Sequence, residues 1–310
     1  MVSVIIPNWN GLALLRPCLR SLEEQTYAHF EVIVVDNGST DGSAEMVQKE
    51  FPWVRLLVMA ENRGYAGGCN AGIRLAEGDL LVMLNNDTEV DPHWLEALVD
   101  ALERHPEAGS AASRIMIYDR PGILHSAGDL YRRNGLPDSR GVWQPYAPPY
   151  DREEYVFGGC GGAVAYRREM LEEIGLFEER FFLYCEDVDL NWRAQLAGWK
   201  CIYVPHAVVR HHLSATGGGA LASYYVGRNT WWVLVRDYPT PLLRRYWRQI
   251  LAAQWHITKE ALRAWRGKAA RARLRGQVVG ALSGFYWLGA RRQIQKKMRV
   301  SLAYLESILE

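Results

Sequence analysis

The chain has 310 residues, of which 49% are hydrophobic, and its formal net charge at pH 7 is +1. A chain of this length can bury one large core, or one domain with an appendage. No stretch reaches the roughly eighteen apolar residues of a spanning helix, and residues 2–7 are too short for a signal peptide. The five cysteines show no CxxC spacing, so neither a disulfide framework nor a zinc site is indicated. A reducing cytoplasm is the expected location.

The small net charge conceals a division of the chain. Residues 1–217 carry 19 Lys and Arg against 31 Asp and Glu, a net of −12, whereas residues 218–310 carry 17 against 4, a net of +13. So large an asymmetry predicts two parts with different partners, an acidic domain over 1–217 and a basic helical region over 218–310. No nucleic-acid recognition motif accompanies the basic charge, so a nucleic-acid partner is not expected.

Strand and helix patterns alternate along the acidic part. Strands are predicted over 2–7, 30–36, 54–59, 80–84, 108–116 and 200–204, and helices over 12–22, 43–49 and 91–105. Residues 118–155 are irregular and rich in proline. This alternation predicts an α/β fold with a mainly parallel sheet flanked by helices and right-handed crossovers.

Polar residues follow the most apolar of these strands. Five apolar residues over 80–84 are followed by Asn85-Asn86-Asp87, which places carboxamides and a carboxylate at the rim where open α/β sheets bind ligands. Asp87 offers the hard oxygen that Mg²⁺ or Mn²⁺ prefers. The alternative is a polar turn, with Asp91 capping the next helix and Pro92 in its first turn.

Two further strand ends carry candidate binding residues. Asp36 ends the second strand, where its carboxylate could accept hydrogen bonds from a base or a ribose, or belong to a simple turn before the next helix. Residues 61–72 place Arg63 among four glycines, so that Arg63 and the backbone N–H groups near Gly64 could face a phosphate. The spacing is not GxGxxG, so a dinucleotide site is not indicated.

A second acidic cluster lies at the start of a predicted helix, for which Gly198 is the C-terminal stop. Glu186 and Asp187 fall at its N-terminus, where acids suit the helix dipole. The alternative interpretation is a positioned general base. Further on, one of His206, His211 and His212 could complete a metal site with Asp87. His211 and His212 are adjacent, so at most one points inward.

Taken together, these motifs resemble the inverting family 2 glycosyltransferases of GT-A fold, and most of all their bacterial rhamnosyltransferase-like branch, which builds cell-wall polysaccharide and O-antigen. The similarity spans roughly residues 1–236. The segments that carry it are Val4-Ile5-Ile6-Pro7-Asn8, Val35-Asp36-Asn37-Gly38, Asn62-Arg63-Gly64, Asn85-Asn86-Asp87 and Glu186-Asp187-Val188-Asp189.

The resemblance implies transfer of a sugar from a nucleoside diphosphate sugar to a glycan or lipid-linked acceptor, with inversion at the anomeric carbon. By position, the nucleotide would be held by Pro7, Asn8, Asp36, Arg63, Gly64 and Asn86. Asp87 would be the metal-binding end of the family's DxD motif, with His211 as a further ligand of Mg²⁺ or Mn²⁺. Asp187, beside Glu186, would be the catalytic base. Asn85 stands where the family has the first Asp, so only one carboxylate of the motif remains.

The basic region has a different pattern. Apolar residues recur there at helical spacing beside arginines, namely Leu243, Trp247, Ile250 and Leu251, and the pattern continues through Trp255, Leu262 and Trp265. Cationic helices with aromatic residues are typical of an anionic membrane interface. The sequence therefore predicts a cytoplasmic enzyme that is peripheral at the inner face of the plasma membrane. An ordinary helical subdomain or a homodimer interface is the alternative.

Two other function classes remain open on sequence. A nucleotidyltransferase acting on a sugar phosphate could share a metal site at a strand end, and a non-catalytic module could bind a nucleotide sugar without consuming it. The three classes differ in product. The transferase releases a nucleoside diphosphate, the nucleotidyltransferase releases pyrophosphate, and the binding module releases neither.

Overall fold

The computed structural model describes residues 1–212 and 218–310. The chain divides into two compact units. The first comprises Met1–Asp129, Ser139–Phe182 and residues 199–212, and the second comprises Leu130–Asp138, Leu183–Gly198 and residues 218–310. The predicted boundary after residue 217 falls at the segment 213–217, which lies outside the described residues, and it stays a prediction.

The first unit contains the alternating strands and helices. Its strands are β1 (Val2–Asn8), β2 (Phe30–Asp36), β3 (Arg55–Val58), β4 (Leu80–Leu84), β5 (Thr88–Val90), β6 (Ala108–Ile117), β7 (Leu124–Ser126), β10 (Glu154–Val156), β11 (Ala163–Arg167) and β12 (Lys200–His211). Its helices are α1 (Leu12–Glu23), α2 (Ser43–Glu50), α3 (Gly64–Leu75), α4 (Trp94–Arg104) and α5 (Arg168–Ile174), with a 3-10 turn at Glu179–Phe181. Between β7 and β10, a short hairpin pairs β8 (Asp129–Tyr131) with β9 (Pro137–Ser139).

These ten strands form one sheet with the order β10-β12-β6-β11-β4-β1-β2-β3, and β5 and β7 pair with β12 and β6. The first four strands of the chain are parallel neighbours, with β1 between β2 and β4. All seven residues of β1 are buried, because helices cover both faces of such a sheet and leave no strand face to water. The predicted α/β class with a mainly parallel central sheet is confirmed.

The structure differs from the predicted elements around β5. The helix expected over 91–105 begins at Trp94, since Asp91 and Pro92 form the preceding turn and the Trp94 N–H donates to the Asp91 carbonyl at 2.9 Å. Thr88–Val90 forms an additional strand that pairs antiparallel with the end of β12. Residues 118–155, predicted to be irregular, hold four short strands.

The second unit is mainly helical. It contains α6 (Glu186–Ala197), α7 (Gly219–Arg236), α8 (Thr240–Arg263), α9 (Lys268–Ser283), α10 (Leu288–Lys296) and α11 (Leu302–Ser307), with a 3-10 turn at Gly284–Trp287. The last residue of α6 is Ala197, and Gly198 follows it in the left-handed conformation at φ 95°. Gly198 thus ends the helix as predicted. Helices α7 to α11 confirm the predicted helical character of residues 218–310, although no local pattern delimited α7 as a separate helix. Within the described ranges, no helix combines the length and the apolar character needed to cross a membrane.

Glycines allow α7 and α9 to pack at close range. A Cβ atom at Gly276 would lie 2.1 Å from the Tyr224 carbonyl oxygen, and one at Gly280 would lie 2.5 Å from that of Arg228. Both obstacles are backbone atoms of α7, so no larger residue fits at either position of α9. This close contact fixes the position of α7 against α9.

A buried ion cluster ties α6 to α7. Asp189 is fully buried on α6, where it accepts hydrogen bonds from Arg193 at 2.7 and 2.9 Å and pairs with Arg236 at the end of α7. The Arg236 guanidinium also lies 4.8 Å from the ring centre of Trp287. Removing one partner from such a cluster leaves a buried charge poorly compensated.

We expect the variant Arg236→Met to destabilise the protein by about 3 kcal/mol, because Asp189 would lose one of its two buried cations. Equilibrium unfolding in urea measures the change. The control is Arg245→Met, which removes an exposed arginine paired with Glu306 and should have a much smaller effect, because solvent screens exposed ion pairs. Equal effects of the two variants would contradict a structural role of the buried cluster.

Candidate functional site

The carboxyl ends of three neighbouring strands are joined by a chain of hydrogen bonds. Asn8 ends β1 and lies opposite Asp36 of β2. Its Nδ2 donates to the Asp36 carboxylate at 3.1 Å, and its Oδ1 accepts a hydrogen bond from Asn86 at 2.7 Å. A Cβ at Gly11 would lie 2.1 Å from the Asn86 amide nitrogen, so a larger residue there would displace the Asn86 side chain from this cluster. Asn8 therefore contacts two other predicted nucleotide-binding residues, Asp36 and Asn86.

Asp36 is already engaged by the protein. One carboxylate oxygen accepts from Asn8 and the other from the Ser39 N–H at 3.0 Å, and the residue is 1% exposed. These bonds hold the loop after β2. A carboxylate can accept about four hydrogen bonds, so Asp36 could accept more than these two. Little of the Asp36 surface, however, is open to a ligand. Pro7 is also buried, within β1. The nucleotide-binding roles of Asp36 and Pro7 stay predictions.

The loop before α3 is fixed by two asparagine side chains. Asn37 donates to the Gly64 carbonyl at 2.9 Å and accepts from the Arg63 N–H at 3.2 Å, while Asn62 accepts from the Gly64 N–H at 2.8 Å. Gly64 has φ 73°, and a Cβ there would lie 2.2 Å from the Phe182 carbonyl oxygen. Only glycine fits at this position. Because its N–H already has an acceptor, the expected contact of Gly64 with a phosphate stays a prediction.

The Arg63 guanidinium pairs with a carboxylate that the sequence analysis missed. It donates to Glu179 at 2.9 Å, and Asn70 and Arg74 donate to the same carboxylate at 3.1 and 3.2 Å. Burial raises the pKa of Glu179, but the hydrogen bonds from Asn70 and Arg74 and the charge of Arg63 outweigh it and lower the pKa overall. The Arg63 side chain is 49% exposed, so it can also contact an anion from solvent.

Asp87 and His211 are brought together by the pairing of β5 with β12. His211 lies opposite Thr88 in that ladder, and its Nε2 is 3.0 Å from the Asp87 carboxylate oxygen Oδ1. His212 is directed elsewhere, with its Nε2 3.3 Å from Glu89. Since adjacent strand residues face opposite sides, the ring of His211 lies against the Asp87 carboxylate, whereas His212 reaches Asp87 through the backbone, with its N–H donating to the Asp87 carbonyl at 2.9 Å.

A second histidine, absent from the sequence-based candidates, supports His211. The Nδ1 atoms of His125 and His211 are 3.1 Å apart and their rings are stacked at 4.8 Å. Burial and the neighbouring His211 lower the pKa of His125 to about 4, against a smaller opposing effect of Asp87. His125 is therefore neutral at pH 7 and can accept a hydrogen bond from His211. Such outer partners set the tautomer of a metal-binding histidine.

The donor set fits a hard divalent cation. Adjacent ligands of an octahedral Mg²⁺ or Mn²⁺ ion with bonds of about 2.1 Å are about 3.0 Å apart, which matches the separation of Asp87 Oδ1 and His211 Nε2. Across residues 1–212 and 218–310, no group of three or more His, Cys, Asp and Glu side chains is arranged to hold a metal ion. Two protein ligands are typical of Mg²⁺ sites that leave the other positions to phosphate and water.

The second acidic cluster lies in the other unit, at the start of α6. Asp187 is the second residue of the helix and is half-buried, and its Oδ1 accepts a hydrogen bond from the Val188 N–H at 2.8 Å. Glu186 is 5% exposed, and its Oε2 has no hydrogen-bond partner among the described residues. Burial and the charge of Asp187 raise the pKa of Glu186 well above its usual range. Asp187 is thus the more accessible candidate base of the two.

Comparisons with known proteins agree with this geometry. The family model "Glycosyl transferase family 2" matches residues 3–175. An N-acetylglucosaminyl-diphospho-decaprenol L-rhamnosyltransferase of Mycobacterium tuberculosis (strain ATCC 25618 / H37Rv) is 33% identical over 232 residues, 66% of this chain and 74% of that protein. The amylovoran biosynthesis glycosyltransferase AmsB of Erwinia amylovora is 29% identical over 243 residues, 74% of this chain and 76% of that protein.

Solved structures share the fold at lower identity. The mannosyltransferase PcManGT from Pyrobaculum calidifontis, in complex with GDP-Man and Mn²⁺, has a TM-score of 0.58 and 20% identity, and the match covers 99% of this chain and 82% of that one. Residues 1–349 of S. aureus TarS give a TM-score of 0.56 at 17% identity, covering 99% and 91%. The GT-A fold predicted from the motifs is confirmed.

Proposed function

Because the chain belongs to glycosyl transferase family 2, we propose that it moves a sugar from a nucleoside diphosphate sugar to a hydroxyl group of a glycan or lipid-linked acceptor in cell-envelope polysaccharide synthesis. The observation that carries the proposal is the contact between Asp87 and His211 beside the ends of the parallel strands. This is the rim where open α/β sheets bind ligands.

Relatives suggest the donor and the acceptor. The Mycobacterium tuberculosis relative is named as an L-rhamnosyltransferase that acts on N-acetylglucosaminyl-diphospho-decaprenol, and a Myxococcus xanthus relative, 31% identical over 226 residues, is named an O-antigen biosynthesis protein. We therefore infer that dTDP-rhamnose is the donor and that a sugar on a prenyl diphosphate is the acceptor.

The reaction is a single displacement at the anomeric carbon. The acceptor oxygen forms a bond to C1 as the bond from C1 to the diphosphate oxygen breaks, and the leaving diphosphate keeps the electron pair. Asp187 takes the proton of the acceptor hydroxyl. Because the acceptor oxygen attacks C1 on the face opposite the diphosphate, the configuration at C1 inverts without a covalent intermediate. Asp87 and His211 would hold Mg²⁺ or Mn²⁺, which would neutralise the charge that develops on the diphosphate.

The remaining residues bind and orient the donor. Arg63 contributes a cation with half of its surface exposed, and Glu179 holds its guanidinium in place. Asn8, Asp36 and Asn86 form a rigid polar group at the strand ends, so their remaining donors and acceptors are preorganised for the nucleoside.

A panel of nucleoside diphosphate sugars tests the function. We expect dTDP-rhamnose, in the presence of Mn²⁺, to raise the melting temperature more than UDP-linked or GDP-linked sugars do, because a ligand that binds only the folded state stabilises it. Release of dTDP should follow when the acceptor is added. Release of pyrophosphate would favour a nucleotidyltransferase, and stabilisation without turnover would favour a binding module.

We expect the variant Asp87→Ala to lower the apparent affinity for Mn²⁺ and dTDP together by at least about tenfold, since the ion would lose its only carboxylate ligand. Isothermal titration calorimetry, with and without a chelator, measures the change. Glu89→Ala is the matched control because Glu89 pairs with His212 and not with His211. Binding that is insensitive to chelation in the wild type would refute the metal site.

The variant Asp187→Asn should keep donor binding and lower turnover by about 10² to 10⁴, because an amide cannot take the acceptor proton. Steady-state release of dTDP gives kcat, and calorimetry gives the donor affinity. Asp138→Asn, at an exposed residue paired with Arg132, serves as the control. Full turnover by the Asp187 variant would assign the base to another residue.

We also propose that residues 218–310 bind an anionic membrane surface, which would make the enzyme peripheral at the cytoplasmic face. On α8, Trp247, Leu251, Trp255 and Leu262 are all at least 49% exposed. At 100° per residue they fall within a sector of about 80°. Arg244, Arg248 and Lys259 lie on or beside this sector, and the only acid of α8 is Glu260.

We expect the wild-type protein to sediment with vesicles that contain phosphatidylglycerol and much less with phosphatidylcholine alone, and added salt should weaken binding. The double variant Trp247→Ala/Trp255→Ala should lower partitioning at least about tenfold, since two large apolar side chains are lost. Trp53→Ala, an exposed tryptophan of the first unit, is the control. A stable dimer in light scattering, without vesicle binding, would instead assign this face to a second copy.

A further inference from the structure

The turn that leads into α6 has an unusual backbone. Tyr184 and Cys185 adopt φ values of 66° and 64°, in the left-handed region that residues other than glycine rarely occupy. Such conformations persist only where the surrounding structure over-determines them. The turn ends one residue before Glu186 and two before Asp187, so whatever holds it also sets the start of the helix that carries the proposed base.

Asn229 holds this turn from the neighbouring helix. It lies on α7 and is fully buried. Its Nδ2 donates to two carbonyl oxygens of the turn, that of Leu183 at 3.0 Å and that of Tyr184 at 2.6 Å. Both N–H donors of one amide are thus used on consecutive carbonyls, which restrains the peptide planes on either side of Tyr184.

The orientation of the Asn229 amide is itself fixed. Its Oδ1 accepts a hydrogen bond from Arg228 Nε at 2.8 Å, and a guanidinium can only donate. The oxygen must therefore face Arg228 and the nitrogen must face the turn. Arg228 is held in turn by aromatic rings, with its guanidinium 3.9 Å from the ring centre of Trp232 and 4.8 Å from that of Tyr225.

The body of α6 is anchored separately. Asp189, Arg193 and Arg236 form the buried ion cluster one turn further along the helix. Loss of the Asn229 amide would leave this cluster intact and would release the turn alone. The consequence would be a small movement of the first residues of α6 within a helix that stays packed.

We propose that Asn229 is a positioning residue that holds the left-handed turn at Tyr184 and Cys185 and thereby aims the Asp187 carboxylate at the acceptor hydroxyl. This inference rests on the proposed function, through the role of Asp187 as base. Arg228 contributes to this positioning because it binds the amide oxygen of Asn229 and so leaves the amide nitrogen facing the turn.

The first test is Asn229→Ala in the full chain. We expect kcat for dTDP release from dTDP-rhamnose, with a synthetic N-acetylglucosaminyl diphosphoprenol as acceptor, to fall about 10²-fold, as a displacement of about 1 Å would produce. The KM for dTDP-rhamnose should stay unchanged. Asn229→Asp keeps the size of the side chain and removes both donors, so it should lose turnover similarly and serves if the alanine variant fails to fold.

The matched control is Gln277→Ala, which removes another buried amide of the same unit. Gln277 lies on α9, where its side chain donates to the Gln254 carbonyl at 3.5 Å and accepts from Thr258 at 3.3 Å, and both of these partners lie on α8. This variant should lower the melting temperature and leave kcat unchanged. A fall in kcat equal to that of Asn229→Ala would show a general packing effect and would overturn the proposal.

A rescue experiment separates positioning from packing. Glycine occupies positive φ without steric cost, so Cys185→Gly should let the turn keep its conformation without the Asn229 amide. In the double variant Asn229→Ala/Cys185→Gly we expect at least tenfold of the lost kcat to return. Absence of rescue, or an unchanged kcat in Asn229→Ala, overturns the proposal.

The outcome for Asp187→Asn tells which claim has failed. If that variant loses turnover while Asn229→Ala does not, the proposed function stands and only the role of Asn229 is rejected. If the wild type releases no dTDP from dTDP-rhamnose and no UDP or GDP from UDP-linked or GDP-linked sugars, the proposed function is rejected and this inference with it.

Discussion

The position of β1 between two parallel neighbours is the constraint on which the candidate donor site depends. Its register aligns Asn8 with Asp36 on one side, and β4 on the other side leads directly to Asn86 and Asp87. A shift of one residue would exchange the two faces of β1 and would remove the alignment of Asn8 with Asp36. The polar ends of the three strands are therefore held together by the apolar core that lies behind them.

Strand pairing likewise brings together Asp87 and His211, the candidate metal-binding pair. His211 reaches Asp87 because β12 is long enough to pair with β6 along its length and with β5 at its end. The neutral His125 contacts His211 and restrains its ring. Glu179 pairs with Arg63 and restrains its guanidinium. Each candidate ligand-binding side chain thus has a protein partner that limits its motion, which lowers the entropy lost when a charged ligand binds.

In the second unit, rigidity comes from buried polar groups instead of strand register. Glycines bring α7 and α9 into close contact, the cluster of Asp189, Arg193 and Arg236 joins α7 to α6, and the Asn229 amide fixes the turn before α6. Buried polar contacts of this kind are specific because an unsatisfied group is costly in a low dielectric. They restrain the helix that begins with Glu186 and Asp187 against local movement.

The sequence by itself determined the alternation of strands and helices, the strand-end residues Asp36, Asn86 and Asp87, and the start of α6 at Glu186, because hydrophobic periodicity, turn residues and helix stops are local signals. It predicted a helical region over 218–310 but did not delimit α7, whose buried residues lie on several sides and leave no clear amphipathic period. Nor could it distinguish His211 from His212, or find His125, Glu179 and Asn229. Their partners lie between 45 and 124 positions away along the chain, so only the pairing of strands and the packing of helices decide which side chains meet.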